Sequence, residues 1–244
     1  MGEELEAFTE KYSEYLEDIR KRFYRIAIVF VVAFLIGIFG THIVLPFFVD
    51  FLSIQSVTII TTSPFQLLEL TMNAGFFTAI ILTIPFAFWQ VFGFLGGGLL
   101  PHERRLILFL IPLSILLFCG GFAYGFSVMY FAIELIAKTN TGFGITNLWD
   151  ITQFISQILI TSALLGIIFE FPIILSALIR FGVLSVDFLR RNRRIAIATI
   201  LIFVALLPPT DGLSFIVMSV PLVVIYELTI FGNSFTRRKE LLEI

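Results

Sequence analysis

Charge is scarce in this chain. Of 244 residues, 14% are Asp, Glu, Lys or Arg and 58% are hydrophobic, a balance outside that of a soluble domain of this length. Histidine and cysteine are scarcer still. Cys119 is the single cysteine; it can form no internal disulfide, and its place deep in an apolar run reads as packing material. His42 and His102 fall on opposite membrane faces in the topology derived below, which removes a shared metal site, and no cofactor is expected. The chain has neither a G-x-x-x-x-G-K-[ST] phosphate loop nor a G-x-S-x-G nucleophile turn. Gly93 and Gly96 to Gly98 lack the Lys and Ser/Thr that contact phosphate, so they read as a flexible helix exit. A serine nucleophile would have no histidine base nearby. These absences argue against an enzyme and leave ion gradients or partners as the source of any work.

What is present is long apolar sequence between islands of positive charge. Fifteen of the sixteen Lys and Arg residues lie in four clusters: Lys11/Arg20/Lys21/Arg22/Arg25, Arg104/Arg105, Arg180/Arg190/Arg191/Arg193/Arg194 and Arg237/Arg238/Lys239; Lys138 stands alone. If each intervening stretch crosses a bilayer twice, all four clusters share one side, and the positive-inside rule puts them and both termini in the cytoplasm. At about 20 residues per span, the chain has room for five to seven helices and no sizeable domain outside the membrane. Glu3, Glu4, Glu6, Glu10 and Glu14 make the start too acidic for a cleavable secretory signal, so the first apolar run is expected to be retained.

The expected fold is therefore all-α: one polytopic membrane domain over 1–244 with six spans. An amphipathic helix over 1–22, with Leu5, Phe8, Tyr12, Tyr15, Leu16 and Ile19 on one face, is expected along the cytoplasmic surface. The spans fall at about 24–45, 73–96, 106–131, 153–179, 195–208 and 213–232. Val57 to Thr62 favour an extended conformation, and Ser63-Pro64 followed by Leu67, Leu68 and Leu70 suggests a short interfacial helix. Gly121 and Gly125 form a G-x-x-x-G pair suited to close helix contact. Glu170 and Pro172 interrupt the fourth span, Ser185 is a plausible helix start, and the fifth apolar run covers only about 20 Å at ~1.5 Å per residue. Pro85, Pro112, Pro172 and Pro221 bend their helices into a curved bundle.

Two constellations carry possible chemistry. Glu17-Asp18-Ile19-Arg20-Lys21-Arg22 and Pro101-His102-Glu103-Arg104-Arg105 each set carboxylates among cations at the same face. They read either as mutually neutralising topology anchors or as a site for an arginine-bearing ligand, because a planar guanidinium donates two parallel hydrogen bonds to one carboxylate. Glu170 and, nearer the inner interface, Glu227 are acids within spans. A charged acid at mid-span costs roughly 2.5 to 3.5 kcal/mol on insertion scales and is expected to face protein or water. A small ion-coupled transporter or channel using Glu170 is the alternative function, and a structural scaffold a third.

These residues together resemble the TatC family of the twin-arginine protein translocase. The resemblance runs through Ser63-Pro64-Phe65, Ile84-Pro85 with Gln90, Pro101-His102-Glu103-Arg104-Arg105, Phe169-Glu170-Phe171-Pro172, Leu207-Pro208-Pro209-Thr210-Asp211, and Pro221 with Tyr226-Glu227. It implies a cupped bundle of six helices in the cell membrane that binds twin-arginine signal peptides of folded cargo at its cytoplasmic face, in a transport driven by the proton-motive force. By position, Asp18 and Glu103 are then the acceptors, with Glu17 able to share the role; Arg20, His102, Arg104 and Arg105 shape the site. Glu170 is the polar group of the concave face, and Asp211 belongs to the outer turn. The resemblance also implies TatA- and TatB-like single-span partners against the fifth and sixth helices, with lipid contact and self-association, and no nucleic-acid partner. Two departures stand out: Asp18 replaces the longer acid of a His-x-x-Glu-Leu-Arg pattern, and Phe215 occupies a position commonly polar.

Overall fold

The computed structural model describes the backbone of residues 2–51, 57–95, 101–208 and 211–240, and side chains over 16–46, 57–91, 93–94, 110–208 and 211–234. In chain order the elements are α1 (Gly2–Phe51), β1 (Val57–Ile60), α2 (Gln66–Leu95), α3 (Pro101–Gly142), β2 (Asn147–Asp150), α4 (Ile151–Phe169), α5 (Phe171–Arg180), α6 (Val186–Arg191), α7 (Arg193–Ala205) and α8 (Gly212–Glu240). They form two compact units. Residues 1–47 and 68–115 make the first, and residues 48–67 and 116–244 the second.

In the first unit α1 and α2 meet along a seam of small residues. A Cβ added at Gly37 would lie 2.7 Å from the Cα of Gly75, and one at Gly75 would lie 3.0 Å from the carbonyl oxygen of Phe34. Such close approach lets dispersion and backbone contact hold helices together where lipid supplies no hydrophobic drive between them. Phe30 stacks edge-on against Phe76 at 6.1 Å beside the seam. On α1, Ile28, Val32, Leu35, Ile36, Phe39 and Ile43 remain exposed, a surface suited to hydrocarbon rather than water. The surface helix and first span expected separately are parts of one continuous α1, which also runs through Pro46. No breaker divides them, and proline so near a helix end removes few ladder bonds.

The second unit is built around α8, which lies against α4, α5, α6 and α7. Met218, Leu222, Tyr226 and Ile230 of α8 are buried, as are Phe118, Met129, Ile158, Leu165 and Ile173. The Gly121/Gly125 pair behaves as its spacing predicts. A Cβ at Gly121 would meet Phe169 at 2.7 Å, and one at Gly125 would meet the Cα of Ser162 at 2.7 Å. Cys119, expected as packing material, is instead exposed: in an apolar solvent an apolar run gives no sign of which face points inward. At Glu170 the chain passes from α4 to α5, with Pro172 in the first turn of α5. Because Pro172 donates no N–H, the ladder resumes through the N–H groups of Ile173 and Ile174, both donating to the Glu170 carbonyl at 3.0 and 3.2 Å.

The expected extended segment is β1, and its partner is one the local pattern did not announce: β2, parallel, with Val57 opposite Asn147 and Ile60 opposite Asp150. No separate interfacial helix follows Ser63-Pro64; the helix that begins at Gln66 is α2 itself. Ser185 starts α6 as expected, its hydroxyl accepting from the N–H of Phe188 at 3.1 Å. Gly182, at φ +70°, takes the left-handed turn that ends α5. Five helical segments among the described residues are long and apolar enough to cross a membrane: 16–46, 66–91, 110–142, 151–180 and 212–234. The thirteen-residue α7 spans about 20 Å, short of a ~30 Å hydrocarbon layer.

Candidate functional site

The acids on α1 lie one helical turn before basic residues, and the i,i+4 spacing brings them into contact. Glu17 pairs with Lys21 at 3.0 Å, both side chains more than half exposed. Asp18 pairs with Arg22, whose Nε donates to its Oδ2 at 3.0 Å. The Asp18 side chain stays 42% exposed while that of Arg22 is 22% exposed, so the acid is the more open partner. Arg22 has further anchors on α2: its Nη1 donates to the Gln90 carbonyl at 2.9 Å, and its guanidinium lies over the Phe94 ring, 5.6 Å from the centroid. Arg20 is exposed. His102, Glu103, Arg104 and Arg105 open α3 within the same compact unit; their side chains lie outside the described residues, as do Gly96 to Gly98, Pro209 and Thr210.

The remaining acids singled out by sequence belong to the second unit and form no cluster with one another. Glu170 has no exposed surface and sits between α4 and α5, facing protein as an intramembrane acid is expected to. Glu227 pairs with Arg193 at 3.2 Å, with side chains 38% and 46% exposed. Next to it, Tyr226 donates its hydroxyl proton to the Leu189 carbonyl at 3.1 Å and so ties α8 to α6. Asp211 opens α8, its Oδ1 accepting from the N–H groups of Leu213 at 3.1 Å and Ser214 at 2.8 Å.

One acid escaped the sequence reading. Asp150 caps α4 through the N–H groups of Thr152 and Gln153, and accepts from the Thr62 hydroxyl at 2.5 Å and from the Gln66 amide. The Thr62 hydroxyl bond, then the Gln153 N–H, hold its carboxyl below the usual carboxylate range against a smaller opposing effect of burial. Its only sequence signal was an Asp immediately before an apolar run.

The fold is that of a helical, multi-pass membrane protein, with a small two-stranded sheet outside the apolar segments. Residues 14–221 match the family described as Sec-independent protein translocase protein (TatC). Relatives include TatCy of Bacillus subtilis (strain 168), 30% identical over 227 residues and covering 93% of this chain and 89% of the relative. TatC of Carboxydothermus hydrogenoformans is 30% identical over 239 residues, covering 93% and 94%. A crystal structure of the twin-arginine translocase receptor TatC in the detergent DDM superposes with a TM-score of 0.78 at 27% identity, covering 90% of this chain and 99% of that one.

The chain belongs to the TatC family of Sec-independent protein translocases. It is a multi-pass cell-membrane component of the twin-arginine translocation system, and its family is one of transport proteins.

Proposed function

We propose that this chain is the receptor of its translocation system, with Asp18 and Glu103 accepting the paired guanidinium groups of a twin-arginine signal peptide. Glu17 stands beside Asp18, while Arg20, His102, Arg104 and Arg105 set the local charge and limit which cations enter. The observation that supports this most strongly is the contact at Asp18: a half-exposed carboxylate already accepts a guanidinium N–H at 3.0 Å. The same carboxylate geometry suits an arriving arginine, because charge-assisted guanidinium–carboxylate bonds are directional as well as strong.

In this reading residues 1–244 form a single domain of six spans with both termini in the cytoplasm, α7 being the short fifth span in a curved bundle. Glu170 and Glu227 are its intramembrane polar groups, and Asp211 belongs to the outer turn before α8. TatA- and TatB-like single-span proteins join along α7 and α8, the receptor associates with copies of itself among membrane lipids, and the proton-motive force drives passage of folded cargo without covalent catalysis. Membership of a translocase family, and a Glu170 with no surface open to a permeating ion, favour this over the ion-coupled transporter.

The test is charge reversal at the second acid. Glu103→Lys in the full chain, purified in detergent, is expected to abolish binding of a twin-arginine peptide while leaving the thermal unfolding profile intact. Unchanged affinity would remove Glu103 from the site.

A further inference from the structure

Asp18 is occupied by an arginine of its own chain. The Arg22 Nε bond to Asp18 leaves the other atoms of the guanidinium to bind elsewhere: Nη1 on the Gln90 carbonyl at 2.9 Å and the plane over Phe94. Gly93 completes the seat, for a Cβ there would lie 3.2 Å from Arg22 Nη1. Arg22 thus has a berth on α2 that does not depend on Asp18, and Asp18 has more open surface than Arg22. If the acid turns toward a visitor, Arg22 keeps its carbonyl and ring contacts.

We propose that Arg22 sets the affinity of the receptor, acting as an internal competitor that an incoming cation must displace from Asp18. This rests on Asp18 being an acceptor of the signal-peptide arginines. The chemistry follows from the exchange. An incoming guanidinium replaces one charge-assisted N–H···O contact with one or two of the same kind, so the exchange costs little. An incoming ammonium is a compact, strongly hydrated point charge without the planar fork, and it recovers less than Arg22 gives up. Both cations must evict the same contact, so Arg22 lowers the affinity for each by the same factor, while the preference for arginine stays with the ligand's own contacts to Asp18.

The experiment measures the affinities of two peptides, identical except for paired Arg or paired Lys, for the full-length wild-type chain, Arg22→Gln and Arg22→Lys in detergent. Because the Asp18–Arg22 pair is partly exposed, its removal is expected to tighten the binding of both peptides about threefold to fivefold. The Arg-over-Lys ratio is expected to hold, with Arg22→Lys intermediate in affinity. A residue that merely ties α1 to α2 would weaken both peptides together, and that result, or unchanged affinities in both variants, overturns the proposal. Failure of the paired-Arg peptide to bind the wild-type chain would instead remove the acceptor site itself. Should Arg22→Gln not fold, Arg22→Lys alone decides: affinities equal to or weaker than wild type overturn the competitor role.

Discussion

A side chain begun at Gly125 would stand 2.7 Å from the Cα of Ser162, so α3 and α4 approach backbone to backbone at that level. A neighbouring Cα cannot swing aside as a flexible side chain does. Gly125→Ala is therefore expected to lower stability by about 1–3 kcal/mol, as overpacking does in well-packed interiors. Gly120 has open space where its Cβ would be, so Gly120→Ala is expected to leave stability unchanged or slightly raised. Thermal unfolding in one detergent compares the two.

Asp150 joins β2, the start of α4 and the turn before α2 through one carboxylate. Its pKa is depressed in the folded chain, so the unfolded chain binds the proton first as the pH falls. The stabilisation is complete above the ordinary carboxylate range and is lost as pH drops through the lowered folded value. Asp150→Ala is expected to melt below wild type at neutral pH, with the gap closing in strongly acidic buffer. A gap independent of pH would mean that the carboxylate charge contributes nothing.

The two adjacent acids of α1 are expected to separate in peptide binding. Asp18→Asn removes a charged acceptor and should weaken a twin-arginine peptide about tenfold or more. Glu17, held by Lys21 on a different side of the helix, should lose about threefold or less as Glu17→Gln. Isothermal titration with the same peptide distinguishes them.

Glu227 and Arg193 are each more than a third exposed, so their pairing is expected to contribute little. A double-mutant cycle with Glu227→Gln and Arg193→Gln should give a coupling below about 1 kcal/mol in thermal or denaturant unfolding. Stronger coupling would assign this pair a structural role at the base of α8.

Much of the architecture was legible because it follows from local chemistry. Gaps between charge clusters marked the apolar helices, Glu170 with Pro172 marked the α4–α5 junction, Ser185 marked the start of α6, and the short run after Arg194 marked α7. What stayed hidden depends on distant residues or on solvent. Nothing near Val57 names Asn147 as its parallel partner ninety positions later, because parallel pairing is set by whatever crossover brings the strands together. The exposure of Cys119 was unreadable because hydrophobicity marks both the core and the lipid face. At the candidate site, the Asp18–Arg22 contact was implicit in the i,i+4 spacing, whereas the Gln90 carbonyl that seats Arg22 lies 68 positions away.

Crosslinking tests the receptor reading most directly. A signal peptide carrying a photoreactive residue beside its arginine pair is presented to the full chain in native-like membranes, and the crosslinked positions are mapped by mass spectrometry. Crosslinks are expected at residues 14–22 and 101–105, and should be lost when the pair is changed to lysine. Labelling confined to other segments, or indifferent to the Arg-to-Lys change, would contradict capture of guanidinium groups by Asp18 and Glu103.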